Sequence, residues 1–187
     1  MADENKKENQ NVVKEVNVSS STPITYNGTV KVQIKRGNKI VKSKIIKNKG
    51  YTQMFKFLAK CLYGLLDSSL APEYIVLLGN DNAILSNVVK SSNHLLDDNG
   101  LITSYQFIIP FNAIISQGTC TKIVLTNNAC SHQFSGSSID ESTLENNSCA
   151  IVELRETIPL SSLNNNDAIL IIWSMEISST LVQNNES

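Results

Sequence analysis

The first clear pattern in the chain is a strict alternation of apolar and polar residues over positions 30–35 (VKVQIK). A period of two is typical of a β-strand with one buried face. Residues 36–39 (RGNK) then read as a tight turn, since Gly and Asn tolerate the positive φ angles that such a turn requires. Residues 40–46 (IVKSKII) alternate again, and the whole stretch therefore predicts a β-hairpin.

The two faces of the second predicted strand differ in chemistry. Val41 and Ile45 share one face, and Lys42 and Lys44 share the other. We expect the apolar face to be buried and the lysine face to be exposed, which gives the hairpin an outer surface made mostly of ammonium groups. Like charges that stand opposite each other destabilise a strand pair, so an anionic partner would relieve this surface.

A helical period follows the hairpin. Apolar residues recur at spacings of three and four, which predicts one amphipathic helix over residues 52–65. The stripe comprises Phe55, Leu58, Leu62 and Leu65, widened by Met54, Phe57 and Cys61. Because its polar face is narrow, we expect this helix to cover the core and to bury most of its circumference.

From residue 72 onward, short apolar runs alternate with loops rich in Asn, Ser and Gly. The runs predict strands at residues 73–78, 101–109, 122–126, 149–154 and 168–177. The last run holds the only tryptophan, Trp173, which we place at the centre of the core. The pattern predicts a mainly β chain: an antiparallel, jelly-roll-like β-sandwich of about seven or eight strands with one inserted helix.

The chain divides into three predicted parts. Residues 1–28 are polar and mixed in charge, and we interpret them as a flexible N-terminal arm. Residues 29–179 form a single sandwich domain, and residues 180–187 form a C-terminal tail. The chain has no apolar run long enough for a signal peptide or for a membrane helix, so no membrane association is expected.

The formal net charge of -1 hides a strong separation of charge along the chain. Residues 16–66 contain ten basic and no acidic residues, whereas residues 67–187 contain three basic and thirteen acidic residues. Such an asymmetry points to charged partners. The candidate partner- or anion-binding residues lie in the hairpin and are Lys31, Lys35, Arg36, Lys39, Lys42, Lys44, Lys47 and Lys49.

Two interpretations of these lysines stay open. They meet an anionic surface, such as phosphate, an acidic protein or the acidic part of a second copy, or they protect an exposed strand edge from aggregation. Nucleic acid stays open as a partner, but sequence-specific reading is not expected. The segment has a single arginine, and its aromatic residues are those that the helix needs for packing.

The side chains that carry chemistry do not form a recognisable site. Cys120, Cys130, His132 and Cys149 lack the paired spacing of structural zinc ligands. His94 and His132 lie in polar loops without a nucleophile motif beside them. We therefore predict reduced thiols, no enzymatic activity, and no catalytic, cofactor-binding or metal-binding residue.

One resemblance adds a function. The lysine-rich hairpin at residues 30–50, the helix YTQMFKFLAKCLYG at 51–64, the strand lead APEYIVLLGN at 71–80 and the closing strand IIWSMEIS at 171–178 together resemble small virion proteins of tailed, crAss-like gut bacteriophages. The resemblance covers residues 29–179 and rests on the order of elements. It implies a structural component of the particle, such as a capsid decoration, a head-fibre base or a portal or tail ring.

That resemblance implies a non-enzymatic homo-oligomer that binds other virion proteins after synthesis in the cytoplasm of the host bacterium. The alternative is a carbohydrate- or receptor-binding β-sandwich that uses the loops at residues 80–82 and 127–138. Sugar sites of this kind usually place an aromatic ring against the ligand. The two loops offer only Phe134 for that purpose.

Overall fold

The computed structural model describes residues 24–62, 67–96 and 102–179, and within them the chain forms nine strands and two α-helices. In chain order these are β1 (Ile24–Arg36), β2 (Lys39–Gly50), α1 (Thr52–Leu62), β3 (Tyr74–Leu78), β4 (Val89–Lys90), β5 (Asn93–Leu96), β6 (Ile102–Pro110), β7 (Thr119–Thr126), α2 (Glu141–Asn147), β8 (Ala150–Pro159) and β9 (Asp167–Ser179). The predicted arm up to residue 23 and the predicted tail at residues 180–187 lie outside the described residues.

The strands form two antiparallel sheets, which confirms the mainly β prediction and is consistent with a β-sandwich. The five-stranded sheet has the order β2-β1-β9-β6-β5, and the four-stranded sheet has the order β4-β3-β7-β8. The sheets are joined on one side, where Lys49 and Gly50 at the end of β2 pair with Ile151 and Ala150 of β8.

The chain also crosses between the sheets on the opposite side. The backbone N–H of Ser91 donates to the carbonyl of Glu73, the residue before β3, and the backbone N–H of Ser92 donates to the carbonyl of Gln106 in β6, both at 2.8 Å. The two-residue link from β4 to β5 thus holds one strand of each sheet.

The main core lies between the sheets. Trp173 is fully buried there, which confirms its predicted place. Its largest fully buried companions include Phe107, Met54, Ile75, Leu77, Ile109, Ile123 and Leu125. In the strand predicted at residues 101–109, Tyr105, Phe107 and Ile109 all point into this core.

A second, smaller core lies on the outer side of the four-stranded sheet. Residues 127–148, here called the cover, pack against that face. The sheet contributes Val76, Leu78, Val124 and Ile151, and the cover contributes Phe134, Ile139 and Leu144. The run at residues 73–78 is therefore buried on both faces, as its continuous apolar sequence predicts.

Helix α1 covers the main core with a narrower face than its sequence predicts. Met54 and Leu58 are buried, but the ring of Phe55 is 52% exposed. The expectation that most of the helix circumference is buried is therefore wrong. Residues 63–66, at the predicted end of the helix, lie outside the described residues, as does the side chain of Cys61.

Helix α2 is not predicted by the sequence pattern, which reads Asp140 and Glu141 as a solvated turn. In the structure Asp140 is the N-cap of this helix, and its carboxylate accepts a hydrogen bond of 2.9 Å from the backbone N–H of Thr143. The helix spans only seven residues and buries Leu144 alone. A helical period in the sequence needs several apolar residues at spacings of three and four, and one buried residue does not provide it.

Strand β1 begins earlier than predicted. Its pairing with β9 runs from Ile24 opposite Ser179 to Arg36 opposite Asp167, so residues 24–28 of the predicted arm are part of the sheet. The turn of the hairpin is confirmed, with Gly37 at a φ of +55°.

Candidate interaction surface

A β-bulge near the tip of the hairpin decides which side chains share a face. Arg36 pairs with Lys39 and Lys35 pairs with Ile40, but the next pair joins Ile34 to Lys42. One residue of β2, Val41, is therefore extra. A slip of one residue moves all the following side chains to the opposite face of the sheet.

The bulge reverses the predicted orientation of β2. Lys42 and Lys44 lie opposite Ile34 and Val32, whose side chains point inward, whereas Ile45 lies opposite the outward-pointing Lys31. The expectation of an outer surface made mostly of ammonium groups is wrong for this strand. Ile40, Ser43, Ile45 and Lys47 point outward, and Lys42 and Lys44 face the interior side.

The outer surface of the five-stranded sheet is here called the bare face, because none of the described segments packs against it. Strand pairing arranges it in rows that cross the sheet. These rows are Lys47-Thr29-Ser174-Ser104-Leu95, Ile45-Lys31-Ile172-Gln106-Asn93 and Ser43-Gln33-Leu170-Ile108. Lys35 and Ile40 continue the face toward the tip of the hairpin.

Three large aliphatic side chains on the bare face are open to solvent, whereas Leu170 in the middle of the face is only 7% exposed. The exposed fraction is 68% for Ile45, 51% for Leu95 and 42% for Ile108. Ile40 and Val41 near the hairpin tip are also exposed. Several such residues on one uncovered sheet surface are typical of a site that contacts another molecule.

The described charged side chains of the bare face are all basic. Lys31, Lys35 and Lys47 point outward, and Lys39 is exposed at the hairpin turn. Among the described side chains of this face there is no carboxylate. The structure thus brings these predicted residues to one aliphatic and basic surface, which suits a partner with apolar groups and carboxylates.

Arg36 has a partner within the chain. Its guanidinium donates two hydrogen bonds to the Asp167 carboxylate, at 2.9 and 3.0 Å. The bond raises the pKa of Arg36 and lowers the pKa of Asp167. The backbone N–H of Gly37 also donates to the carbonyl of Asn166. These bonds hold the hairpin tip against the turn that precedes β9, so Arg36 has a partner inside the fold.

Lys42 and Lys44 are likewise engaged within the chain. The Nζ atom of Lys44 lies 3.1 Å from Oε2 of Glu156 in β8, and that of Lys42 lies 3.9 Å from the same oxygen. The bond from Lys44 lowers the pKa of Glu156. The predicted candidate Lys49 pairs through its backbone with Ile151, and its side chain lies outside the described residues.

The cover carries the opposite charge. Residues 127–148 contain Asp140, Glu141 and Glu145 and no lysine or arginine. All three acids are exposed. The basic hairpin thus lies in one sheet and the acidic cover lies on the outside of the other, while Glu156 and Asp167 of the acidic part pair with the hairpin.

The cysteine and histidine side chains do not converge on a reactive centre in the described part of the chain. Burial raises the pKa of Cys120 to about 12 and also raises the pKa values of Cys130 and Cys149. His132 is exposed and contacts the side chain of Gln133 at 2.7 Å, and His94 is exposed as well. No group of three or more metal-ligating side chains occurs among these residues.

The loops considered for sugar binding are occupied by internal contacts. Phe134 is only 4% exposed, because its ring packs in the second core. The Asn82 amide donates to Glu141 and accepts from Lys122, both at 2.8 Å. The one aromatic ring of these loops is thus not available to stack on a ligand.

Known proteins do not supply a function for this chain. No protein-family model, curated protein or solved structure matches it. Neither α1 nor α2 has the length and apolar character needed to cross a membrane, and the structure describes no other α-helix.

The exposed aliphatic residues of β5 and β6 are the part of the surface that sequence reasoning missed. Leu95 lies in β5, where the sequence pattern predicts no strand. Ile108 lies in the strand predicted at residues 101–109, but the pattern does not tell which of its apolar residues stay uncovered. One feature of β6 does indicate an outward apolar residue. Ile108 and Ile109 are adjacent and both apolar, so one of them must face outward.

Proposed function

We propose that this protein is a non-enzymatic structural subunit of a bacteriophage virion that assembles with copies of itself and with other virion proteins. The bare face carries the proposal. It offers exposed aliphatic side chains together with three lysines, and a partner that covers it buries apolar surface and neutralises charge at once.

The separation of basic and acidic surfaces supports assembly in particular. A subunit with a basic face on one side and an acidic cover on the other suits contacts between unlike surfaces, which build rings and extended arrays. The finer features expected from the sequence belong to the same proposal: a jelly-roll-like sandwich, a place in the virion, and a basic hairpin at residues 30–49 that meets acidic neighbours.

The test is the molar mass of the full chain in solution as a function of concentration and salt. We expect masses above the 20.6 kDa of one chain at low salt. We also expect weaker association at high salt, because the screening length falls from about 10 Å at 0.1 M to about 3 Å at 1 M. A chain that stays monomeric at high concentration and low salt, and that binds no virion partner, contradicts the proposal.

A matched pair of double variants tests whether the bare face is the surface used. Leu95→Gln with Ile108→Gln removes two exposed aliphatic groups from the bare face. Phe55→Gln with Ile115→Gln removes two comparably exposed groups from elsewhere. We expect the first pair to abolish association and the second to leave it unchanged. Equal behaviour of the two variants excludes the bare face.

A further inference from the structure

The ion pairs inside the chain leave some carboxylates without a cationic partner. The described carboxylates that form an ion pair with a lysine or arginine are those of Asp67, Glu73, Glu141, Glu156 and Asp167. The described carboxylates that form none are those of Asp81, Asp140, Glu145 and Glu153. All four of these residues are exposed, so their charges are open to a cation from outside the chain.

These unpaired carboxylates lie on one side of the molecule. Asp140 and Glu145 belong to the cover, on the outside of the four-stranded sheet. Glu153 points outward from β8 toward the same side, because Val152 and Leu154 on either side of it point into the main core. The cover and the neighbouring strand β8 thus present these charges in the same direction.

Asp81 stands beside the same surface. The next residue, Asn82, donates its side-chain amide to Glu141 of the cover at 2.8 Å. The cover, Asp81 and Glu153 are here called the acidic side. This side carries five carboxylates, and the cations next to Glu153 are Lys122, which pairs with it across the strands, and Arg155. Carboxylates therefore remain in excess.

The pKa of one tyrosine reflects the combined charge of the acidic side. Tyr51 packs against the second core. Burial raises the pKa of its hydroxyl, and the carboxylates of Glu145, Glu153 and Glu141 raise it further. Carboxylates of the cover and of β8 thus act on one common region, which is the condition for attracting a cationic surface.

The unpaired cations of the hairpin lie on the opposite side of the molecule. Lys31, Lys35, Lys39 and Lys47 form no ion pair with a described carboxylate. Three of them point outward from the bare face, and the main core and the other sheet separate that face from the acidic side. Two bare faces, or two acidic sides, placed against each other bring like charges together, which opposes symmetric pairing of either surface.

We propose that the bare face of one copy binds the acidic side of a second copy, so that the lysines of the first meet the unpaired carboxylates of the second. This inference rests on the proposed self-assembly and names the two surfaces that meet. Because these surfaces point in opposite directions, every added copy presents a new surface of each kind. The contact therefore repeats into rings or open arrays instead of stopping at a pair.

The cover offers little steric hindrance to such a contact. Its residues 135–138 (SGSS) are all exposed and have small or absent side chains. Ile45 and Ile108, which are exposed on the bare face, can therefore pack against backbone atoms of this loop.

Charge reversal in the full chain tests the proposal. The basic reversal is Lys31→Glu with Lys47→Glu, and the acidic reversal is Glu145→Lys with Glu153→Lys. Self-association is measured by sedimentation velocity at low salt. We expect each reversal alone to weaken it about tenfold or more, because like charges then face each other across the contact.

The decisive sample is the chain that carries both reversals, since it restores opposite charges and keeps the natural net charge. We expect its association constant to return to within about threefold of that of the natural chain, because the two reversals are coupled across the contact. An equimolar mixture of the two single reversals is expected to associate as well, since each surface then meets one of opposite sign.

The control is Lys56→Glu with Lys60→Glu on α1, which changes the net charge as much as the basic reversal does but lies outside both surfaces. We expect this control to leave the association constant within about threefold of the natural value, because charges away from a contact couple weakly to it. Glu153→Lys places a lysine opposite Lys122. If that variant misfolds, the exchange is repeated with Lys31→Glu and Glu145→Lys alone.

Several outcomes overturn the proposal. If either reversal leaves association unchanged, that surface does not take part in the contact. If both reversals weaken association and the combined chain stays weak, the two surfaces do not meet each other. If the control weakens association as much as the basic reversal, net charge explains the effect. Each of these results leaves self-assembly itself standing, whereas a natural chain that is monomeric at low salt contradicts both proposals.

Discussion

The outer faces of the two sheets both carry aliphatic side chains, but these side chains end in opposite environments. On the four-stranded sheet, Val76, Leu78 and Val124 are fully buried beneath the cover. On the five-stranded sheet, Ile45 and Ile108 are 68% and 42% exposed. Both faces carry branched aliphatic side chains, so apolar composition alone does not decide which face becomes a core.

The two faces differ because a segment of the chain itself covers only one of them. Residues 127–148 supply Phe134, Ile139 and Leu144 to one face, and each such side chain contributes roughly 1.5–3 kcal/mol when it is buried. The described chain has no equivalent segment for the other face. A neighbouring molecule on the bare face belongs to the assembly proposed above.

The largest expected effect concerns the covered face. Leu144→Ala removes the one fully buried side chain of α2 and leaves a cavity under the cover, so we expect a loss of about 2–5 kcal/mol in the free energy of unfolding, measured by urea denaturation. Glu145→Ala, at an exposed position of the same helix, is the control. Equal losses for the two variants contradict the claim that the cover is a packed core.

A smaller effect is expected at the Arg36–Asp167 ion pair, here called the clamp, which holds the tip of the hairpin. The hydrogen bond from Arg36 lowers the pKa of Asp167 below its ordinary value of 3.8. The folded state therefore gains stability from this group above pH 3.8 and loses it as the pH falls through the lower folded pKa.

The variant Asp167→Asn has no carboxylate at this position, so the part of the folding stability that depends on its ionisation disappears. We expect lower stability at neutral pH than in the natural chain, and a stability curve that declines less between pH 5 and pH 2, measured by circular dichroism at fixed urea concentration. Glu145→Gln serves as a carboxylate control at an exposed site. An unchanged pH profile in the Asp167 variant shows that the clamp does not contribute to stability.

The smallest effect is expected on the bare face itself. Ile45→Thr keeps a β-branched side chain in β2 and removes apolar surface that is 68% exposed. We expect the free energy of unfolding of the monomer to change by no more than about 0.5 kcal/mol, as is usual for surface positions. A loss as large as that of Leu144→Ala means that Ile45 is packed, and that the two faces do not differ as described.

Elements with a strong local pattern are predictable from this sequence. The hairpin, α1, the doubly buried β3 and the inward side of β6 all follow from apolar periods that span several residues, because such a period records which side of an element meets the core. Trp173 follows from the same reasoning. Helix α2 does not, since its N-cap Asp140 and its single buried leucine also suit a polar turn.

The candidate surface is only half predictable. The sequence shows that the hairpin is basic, and Lys31, Lys35, Lys39 and Lys47 are exposed or partly exposed there. An unbroken hairpin register pairs Ile34 with Val41, which places the apolar side of β2 inward. With the bulge, Ile34 pairs with Lys42 instead. The alternation of residues 40–46 is compatible with both registers, so it does not predict which one forms.

The amino-acid sequence by itself determined the mainly β class, the position of α1, the central Trp173 and the separation of charge, because each depends on the order of neighbouring residues. Only the tertiary structure decided which face of β2 points inward and which sheet is covered. The physical reason is that both depend on contacts with residues far along the chain. Lys44 points inward toward Glu156 of β8, and the cover packs on Val76 and Val124, which lie in two different strands.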